Sequence, residues 1–587
     1  MAKALNGAAF REFRQMDKAE KKPINIRYGI YDKIPGRVAI PVVIQQIVVL
    51  SMDLVLPVLL ISMVGGSREI AQNFVSVMMI GIGLGTLLQV LHKRVIGSGY
   101  FCAEETGFLY YQASALAVQA GGLPLLFGMT TIAGFFQMLL SRIIPRIRFL
   151  FPTEVAGLMV VMTGVAGIAP GVSAIFGVDD LKNTIDSSSM VVGLITIMIM
   201  VSLSVWGNSS MRQYAILAGI IVGYVLSYVL GIFNLDHIRQ LAAAPYIAMP
   251  VMTMEWSFDE RLLLPFLVAV ICSTLKTMGN LATCQKTNNT NWKRIDLKNV
   301  GNGVFAEGVG TSMCGILGCM GLNSSSGSVG LSILNGVTSR YLAYFVSSVF
   351  VAMAFCPKAA ALLAIMPSPV MGAVLLINLG YFIIEGFQII VSRMLDERKI
   401  FVVGLSMVLG LSVDLVPGIY AQFPVQFQSL FKSSLAVVSL TAIFLNLLFR
   451  IGIKQKNVIV LAIGTDSTEK AIEFMEANGA AWGARREVIH RASSAIIEFF
   501  ETASSLELVS EGKVRLEVSF DEYNVAVKII YNGFLVELPE RRPTEEELLN
   551  DDNALLRLSG YLMRKYANKI TAYIEDENCI LQFHFEH

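Results

Sequence analysis

Charged residues are scarce in this sequence. Of its 587 residues, 16% are charged and 54% are hydrophobic, and the mean hydropathy is +0.61. An average soluble domain carries about 25% charged residues, so this composition excludes a soluble protein and indicates a membrane protein. The formal net charge of +1 gives no reason to expect nucleic acid or an acidic partner.

Patterns for metal binding and nucleotide hydrolysis are also missing. The seven cysteines lie mostly in apolar stretches, and no Cys-x-x-Cys occurs. The closest pair, Cys314 and Cys319, has no histidine or acid at ligand spacing, so we expect small apolar fillers rather than metal ligands. The absence of a P-loop disfavours an ATP-driven enzyme. The first stretch of the chain is polar and charged, so a cleaved signal peptide is not expected.

Long apolar runs fill the chain from Ala39 to Ile451, and many are long enough to cross a bilayer as helices. They predict fourteen crossings, of which the third and the tenth are short and rich in Gly and Ser. The predicted crossings are 39–64, 72–91, 97–115, 121–141, 152–170, 189–206, 213–233, 261–282, 303–318, 326–337, 342–365, 368–392, 399–416 and 429–451.

The charges of the loops support this count, because cytoplasmic loops collect Lys and Arg. If the basic N-terminal tail is cytoplasmic, every basic cluster falls on the cytoplasmic side, while the opposite loops at 244–260 and 414–424 hold no basic residue. We therefore predict that both termini are cytoplasmic. The basic tail residues are Arg11, Arg14, Lys18, Lys21, Lys22, Arg27, Lys33 and Arg37, and the loop clusters are 92–94, 141–148, 211–213, 286–294, 339–341, 392–399 and 450–456.

The composition changes after Lys456, where apolar runs shorten and charges become frequent. We predict a cytoplasmic tail at 1–38, a membrane domain at 39–451 and a cytoplasmic α+β domain at 452–587. The β-branched, alternating stretches that predict strands are 457–464, 514–520, 525–532 and 579–587, and the amphipathic helices are predicted at 484–505 and 553–568.

The two short segments lie about seven crossings apart. The third opens with IGSGYFCAEETG (96–107) and the tenth with NSSSGSVGLSILNG (323–336). A repeat of seven crossings inserts in inverted orientation, and Gly-interrupted segments at matching places indicate broken helices that meet at a binding site. Helix N-termini there would offer N–H groups and a positive dipole end to a ligand. The alternative is that Gly and Ser only allow helices to pack closely.

Lys276 stands inside the eighth apolar run. Residues 262–273, just upstream of it, contain no charged residue. A cation at the bilayer centre costs about 2.5–3.5 kcal/mol or more. Such a lysine needs either a ligand or coupling role or a structural ion pair, for which the sequence offers Glu307, Glu104 and Glu105.

Several stretches resemble the nucleobase–ascorbate transporter family, the xanthine/uracil permeases or nucleobase:cation symporters. The similarity runs in order over about 400 residues and is carried by 40–50, 97–102, 151–170, 301–318 and 365–380. The resemblance implies an all-α polytopic membrane protein and not an enzyme. It also implies fourteen transmembrane segments in two inverted seven-segment repeats, with core and gate domains, an elevator-type mechanism and a homodimer.

The chain departs from this family where the chemistry is expected. The eighth segment of the family carries an acid at the position of Lys276 and an Asp at that of Asn280. Of the signature in the tenth segment only Gly330 is kept, because Gly327 and Ser328 replace its first two residues.

Other family positions are matched more closely. By resemblance, Tyr100 corresponds to the aromatic residue that stacks on a base, and Glu307 to the acid of the ninth segment. The Gln-His pair of the first segment is Gln45-Gln46 here.

These substitutions change the expected ligand. A carboxylate at 276 could take a proton and bind an imide edge, whereas an ammonium has three donors and no acceptor and suits an anion. Gly327 enlarges the site or exposes backbone N–H groups, and serine hydroxyls could help to hold an oxyanion or an acidic purine. The predicted substrate-binding residues are Gln46, Tyr100, Lys276, Ser326, Gly327 and Ser328, and the coupling or ion-pair residues are Lys276, Asn280 and Glu307.

Residues 457–587 resemble a degenerate histidine-kinase-type ATPase domain, in the small form of bacterial anti-sigma kinases. His490 and Ser494 stand where that family places the acid and the Asn that bind magnesium. The adenine-binding Asp is missing at 531–533, and the later Gly box is reduced at 558–560. The resemblance implies a pseudo-ATPase module for dimerisation, docking or regulation; an unrelated α+β tail is the alternative.

Together these features predict a secondary active transporter in a bacterial inner membrane. We expect its substrate to be a purine or related nucleobase, with Lys276 favouring an anionic form such as urate or xanthine, and no cofactor beyond a coupling H+ or Na+. The expected partners are the substrate, the lipid bilayer, a second copy and a cytoplasmic regulatory protein, and no nucleic acid. The alternatives are a transporter of another small anion on the same fold, or a transporter-like sensor that signals through its cytoplasmic domain.

Overall fold

The structure is a computed structural model of the chain. It describes residues 23–586 except 24, 93–94, 148–151, 178–185, 209–210, 213, 234–238, 240–241, 243–244, 253–254, 291, 293–294, 393–394, 421, 424–430, 432, 450–454, 465, 507, 521–523, 545–553 and 576–577. The predictions for the basic N-terminal tail before Pro23 therefore lie outside the described residues.

Two compact units make up the chain. The first comprises the chain up to Pro152, Ala156–Phe387 and Met407–Leu440, and the second comprises Thr153–Val155, Gln388–Ser406 and the chain from Thr441 onward. Helices dominate up to Phe449. They are α1 (Gly36–Ser51), α2 (Val55–Met63), α3 (Arg68–Val90), α4 (Tyr111–Ile147), α5 (Thr153–Ala166), α6 (Ile168–Phe176), α7 (Ser187–Trp206), α8 (Ala215–Val229), α9 (Leu263–Thr287), α10 (Leu297–Leu317), α11 (Ser326–Leu334), α12 (Arg340–Ala354), α13 (Pro357–Ala364), α14 (Ser368–Ile390), α15 (Glu397–Leu415), α16 (Pro417–Tyr420) and α17 (Ser434–Phe449).

These helices form a mostly helical membrane protein. Among the described residues, seven helical spans are long and apolar enough to cross a bilayer, or eight if α12 and α13, which bend by 81° at their junction, form one span. Each of the fourteen predicted intervals contains helical residues, but several helices are too short or too polar to count as crossings by themselves. The count of fourteen therefore stays a prediction.

The third and tenth segments are broken, and the structure brings them together. Before α4 the chain is extended and forms β1 (Glu104–Thr106), while β2 (Leu322–Ser324) precedes α11. The two strands pair antiparallel, with Glu104 opposite Ser324. Because backbone N–H and C=O groups inside a membrane protein must be satisfied by the protein itself, each broken segment uses the other as its partner. This confirms the prediction that the two segments meet.

Glycines outside the two broken segments allow two helices to pack closely. A Cβ added to Gly134 of α4 would lie 2.4 Å from the backbone nitrogen of Ser312 in α10, and one added to Gly315 would lie 2.5 Å from the backbone nitrogen of Thr131. Only hydrogen fits between these two helices, so they are in backbone contact.

The tail of the chain forms the predicted α+β domain. Its strands β3 (Gln455–Ala462), β4 (Val509–Phe520), β5 (Asn524–Gly533), β6 (Lys569–Glu575) and β7 (Asn578–Glu586) make one sheet in the order β3-β4-β5-β7-β6, with every neighbouring pair antiparallel. Its helices are α18 (Ser467–Ala481), α19 (Arg486–Ser505) and α20 (Ala554–Tyr566).

An apolar core holds this domain together. Phe499 and Phe500 of α19 are fully buried, as are Phe583 and Phe585 of β7. The four predicted strands correspond to β3, β4, β5 and β7, whereas the edge strand β6 was not predicted. The likeness to histidine-kinase-type ATPases stays a prediction.

One hydrogen bond ties this domain to a helix of the membrane part within the second unit. The Lys399 ammonium, near the start of α15, donates to the carbonyl of Gly483 over 2.8 Å. The tail domain and the basic cluster 392–399 therefore lie on the same side, as the loop charges require. Which side faces the cytoplasm stays a prediction.

The backbone contact between α4 and α10 makes Gly134 sensitive to enlargement. We expect Gly134→Ala to destabilise the protein by about 1–3 kcal/mol, because the added methyl group overpacks a contact with backbone atoms. Gly404→Ala in α15 is the matched control, since a Cβ there meets nothing within 4 Å. Thermal unfolding of both purified variants in detergent checks this. A Gly134→Ala melting temperature equal to that of the control would contradict the packing.

Candidate ion-pair site

Lys276 is buried and paired. Its ammonium lies 2.7 Å from Oε1 of Glu105, and the two side chains are only 2% and 6% exposed. Of the three acids that the sequence offered as partners, the structure selects Glu105. The lysine comes from the middle of α9 and the glutamate from the middle of β1, so the pair joins the eighth and third segments.

Aromatic rings lie against this ion pair. The Lys276 ammonium is 4.5 Å from the ring centroid of Phe382 in α14, a cation–π distance. Phe382 in turn stacks on Phe108, with ring centroids 5.2 Å apart. The Lys276 ammonium therefore contacts both the carboxylate of Glu105 and the ring of Phe382.

A second acid completes the cluster. Asp53, at the break between α1 and α2, accepts a hydrogen bond of 3.0 Å from Nδ2 of Asn378. Its carboxyl group is within hydrogen-bonding reach of Glu105 and interacts with Lys276. Asp53 and Glu385 are therefore further acids near the ammonium that Glu105 binds. An acid inside the first apolar run carries the same signal that singled out Lys276, but the sequence analysis did not use it.

Glu307 occupies a separate network of neutral donors. It accepts hydrogen bonds from Nε2 of Gln137, at 2.7 Å, and from the hydroxyls of Ser273 and Thr277. Three donors satisfy a carboxylate without a cation. The structure therefore gives Lys276 and Glu307, which the sequence grouped as coupling or ion-pair residues, different partners.

Asn280 connects α9 to the tenth segment. Its Nδ2 donates to Oγ of Ser324 over 2.9 Å, and its Oδ1 accepts from Oγ of Ser326 over 2.9 Å. Oγ of Thr277 is also 2.9 Å from Oγ of Ser324. Because Ser326 and Asn280 are hydrogen-bonded to each other, they link the broken tenth segment to α9.

Gln46 performs a similar role from the first segment. Its Nε2 donates to the carbonyl of Ser328 at 3.1 Å and to Oγ of Ser332 at 3.0 Å. Gly327 is exposed at the start of α11, where an added Cβ would lie 3.1 Å from Cγ1 of Val49. Gln46 and Ser328 therefore lie together, and their contact with a substrate stays a prediction.

Tyr100 is partly buried, and its contact with a substrate stays a prediction. It packs against an apolar cluster that contains Cys102, Cys284 and Val329. The rings that the structure sets at the ion pair are Phe382 and Phe108, which sequence reasoning missed. Phe382 lies in an apolar helix whose local pattern does not distinguish it from its neighbours.

The tail domain contains a cavity of about 620 Å³ between α18 and α19. His490 and Ser494, the two residues at the magnesium-binding positions of the resembled ATPase, both line it, together with Arg486. Among the described residues, no group of three or more His, Cys, Asp or Glu side chains is arranged to hold a metal ion.

Apolar helices around a buried ion pair and two broken segments define a polytopic membrane transport protein. The family model described as "Permease family", that of the xanthine/uracil permeases, matches residues 39–419. The chain belongs to this family, so it is a multi-pass transporter rather than an enzyme.

Relatives of known name match along nearly their whole length. The xanthine permease XanQ of Escherichia coli K12 is 25% identical over 447 residues, which cover 74% of this chain and 95% of the permease. The xanthine permease XanP of the same organism is 24% identical over 454 residues, covering 73% and 96%. Among solved structures, the transmembrane domain of a cyanobacterial bicarbonate transporter, BicA, is similar over 70% of this chain and 98% of its own, at 14% identity and a TM-score of 0.42.

Breaking the ion pair from one side should cost more than removing it. We expect Lys276→Met and Glu105→Gln each to destabilise the protein by about 3–5 kcal/mol, because each leaves a buried charge without its partner. The double variant should regain much of that loss. A double-mutant cycle of unfolding free energies in detergent measures the coupling.

An exposed pair of the tail domain provides the control. Arg564 and Glu540 lie 3.1 Å apart with side chains 43% and 88% exposed, so Glu540→Gln should change stability little. Additive losses in the Lys276 and Glu105 double variant would contradict a coupled pair.

Proposed function

We propose that the chain is a secondary active transporter of an oxidised purine, of which xanthine and urate are the candidates. The observation that carries this proposal is the buried Lys276–Glu105 pair against the ring of Phe382. The names of the E. coli relatives, both xanthine permeases, support the same substrate class.

The ion pair supplies what a lone lysine lacks. An ammonium has three donors and no acceptor, whereas a carboxylate only accepts. Glu105 uses one donor of Lys276, so donors remain on the lysine and acceptor sites remain on the carboxylate. Oxidised purines present carbonyl oxygens next to ring N–H groups. Such an edge would receive hydrogen bonds from Lys276 and donate one to Glu105.

Glu105 thereby takes over the function of the acid that relatives place on the eighth segment. In this proposal the hydrogen-bond acceptor for the substrate is Glu105 of β1, whereas α9 supplies a donor, Lys276. The charges of the pair offset each other, so a neutral purine fits as well as a monoanion.

Aromatic rings favour a purine over a small oxyanion. Phe382 and Phe108 stack on each other beside the pair, so a purine bound there would bury apolar surface against the edges of these rings. Sulfate or bicarbonate gains nothing from such a surface. This distinction separates the purine transporter from a transporter of another small anion.

The wider transport machinery is also part of the proposal. We propose fourteen crossings in two inverted repeats, with both termini cytoplasmic in a bacterial inner membrane, and elevator-type movement within a homodimer. A proton or a sodium ion provides the coupling. The tail domain acts as a pseudo-ATPase module that docks a partner or a second copy, and the cavity bounded by His490 and Ser494 supports a ligand-binding role for it.

Ligand-induced thermal stabilisation of the purified protein tests the substrate class. We expect xanthine and urate to raise the melting temperature of the wild type, and uracil, ascorbate and sulfate to raise it less. The Lys276→Met/Glu105→Gln double variant should lose most of the shift, since the donor at 276 is gone and the carboxylate acceptor at 105 is replaced by a weaker, neutral amide. Phe382→Leu should weaken it, because the ring beside the ion pair is lost.

Other outcomes would point to the rival functions. Stabilisation by sulfate alone, unaffected by Phe382→Leu, would contradict a purine site and indicate a small-anion transporter. Xanthine binding without uptake of labelled xanthine into proteoliposomes would contradict transport and favour a sensor.

A further inference from the structure

A second carboxyl site lies on the opposite side of β1 from the ion pair. Successive side chains of a strand point to opposite faces, so Glu104 and Thr106 face away from the side on which Glu105 meets Lys276. Glu104 is fully buried, and neither of its carboxyl oxygens has a hydrogen-bond partner among the described residues. The hydroxyl of Thr106 is likewise buried and unpartnered there.

Gly85 of α3 packs against this site. A Cβ added to Gly85 would lie 3.0 Å from Cγ of Glu104. The backbone N–H of Glu104 donates to Oγ1 of Thr86 at 3.0 Å. The backbone of Glu104 is therefore held in place, while no described residue donates a hydrogen bond to its carboxyl group.

Among the described residues, no cation is paired with Glu104. The titratable groups near it are Glu307, Glu105, Cys314 and Lys276, and the Lys276 ammonium is already paired with Glu105. A buried, ionised carboxylate without hydrogen-bond donors is strongly unfavourable, whereas the neutral acid costs far less. This arrangement therefore fits an uncharged Glu104.

From this geometry we propose that Glu104 is a proton-carrying residue of the transport cycle, distinct from the ion-pair site. This rests on the proposed function, which already includes a coupling ion, and adds the residue that binds it. Glu104 and Glu105 are joined by one peptide bond, so a shift of β1 that a substrate imposes through Glu105 also moves Glu104. Movement that brings Glu104 to water lets it release its proton, and reprotonation allows the strand to return to the dry site.

Xanthine transport by proteoliposomes tests the proposal. If one proton moves with each substrate, a gradient of one pH unit supports about tenfold accumulation, since one unit of proton free energy equals one tenfold ratio. We expect the wild type to approach this ratio. Glu104→Gln, which mimics the permanently protonated acid, should exchange internal for external xanthine but show no accumulation. Glu104→Asp keeps an ionisable group and should retain part of the accumulation, and Glu69→Gln, at an exposed acid, should behave like the wild type.

Three results would overturn the proposal. Undiminished proton-driven accumulation by Glu104→Gln would show that another group carries the proton. Accumulation driven by a sodium gradient at equal pH, and lost in Glu104→Gln, would make the site a sodium site instead. If Glu104→Gln retained proton-driven accumulation and Glu69→Gln lost it, the proton-carrying group would be an acid at the protein surface.

An infrared measurement separates this proposal from the substrate assignment. A wild type that neither binds nor moves xanthine would refute the purine transporter but leave the carboxyl group open to test. Infrared difference spectra of the purified protein across pH then decide, because a buried protonated carboxyl has its own carbonyl band. A band that is present in the wild type and missing in Glu104→Gln supports the proposal. Identical spectra of the wild type and Glu104→Gln would overturn it. If Glu104→Gln does not fold, a wild-type spectrum without the band of a protonated carboxyl group would overturn it as well.

Discussion

The short antiparallel pairing of β1 with β2 is the contact on which the rest of the site depends. A chain that leaves helical geometry inside a membrane protein must find hydrogen-bond partners for its backbone within the protein. Here two such segments satisfy each other over three residue pairs. The pairing is extended at both ends by hydrogen bonds from Gly107 N to Gly321 O and from Ser325 N to Ala103 O, each 2.8 Å long.

Because β1 and β2 are paired, side chains of one helix, α9, can contact both broken segments. Lys276 reaches Glu105 of β1, while Thr277 and Asn280 reach Ser324 of β2. The three side chains lie within about one turn of α9, because residues three and four apart share a helix face. α9 is therefore hydrogen-bonded to both broken segments at the place where they pair.

The buried acids of this region are stabilised in different ways. Glu105 has a cation, Glu307 has three neutral donors and Asp53 has an amide. Among the described residues, Glu104 has no such partner. Lys276 forms its ion pair with one of these acids, Glu105, so the arrangement depends on which of the other acids hold protons.

Much of the fold could be predicted from the sequence, because apolar length and loop charge are local signals. The broken segments at 96–107 and 323–336 were found from Gly and Ser content, and four of the five tail strands from alternation. The edge strand β6 was missed because a strand with few buried neighbours has a weak apolar pattern.

Partners across the chain could not be predicted. Glu105 and Lys276 are 171 residues apart, and nothing local distinguishes Glu105 from Glu104 as the partner. The matched position of Tyr100 drew attention to one aromatic ring, while the rings at the ion pair depend on how α14 packs. The bounds of helices follow from local pattern, but the contents of the site follow from register and packing.

The length of the irregular stretch before β1 determines the register of this strand. Side chains of a strand alternate, so a slip by one residue sends each of them to the opposite face. Adding or deleting one residue between Gly97 and Ala103 would set one carboxyl where the other now lies, and Lys276 would meet a different neighbour. Loops usually tolerate changes of length, whereas the length of this segment is fixed by the two faces that its strand must serve.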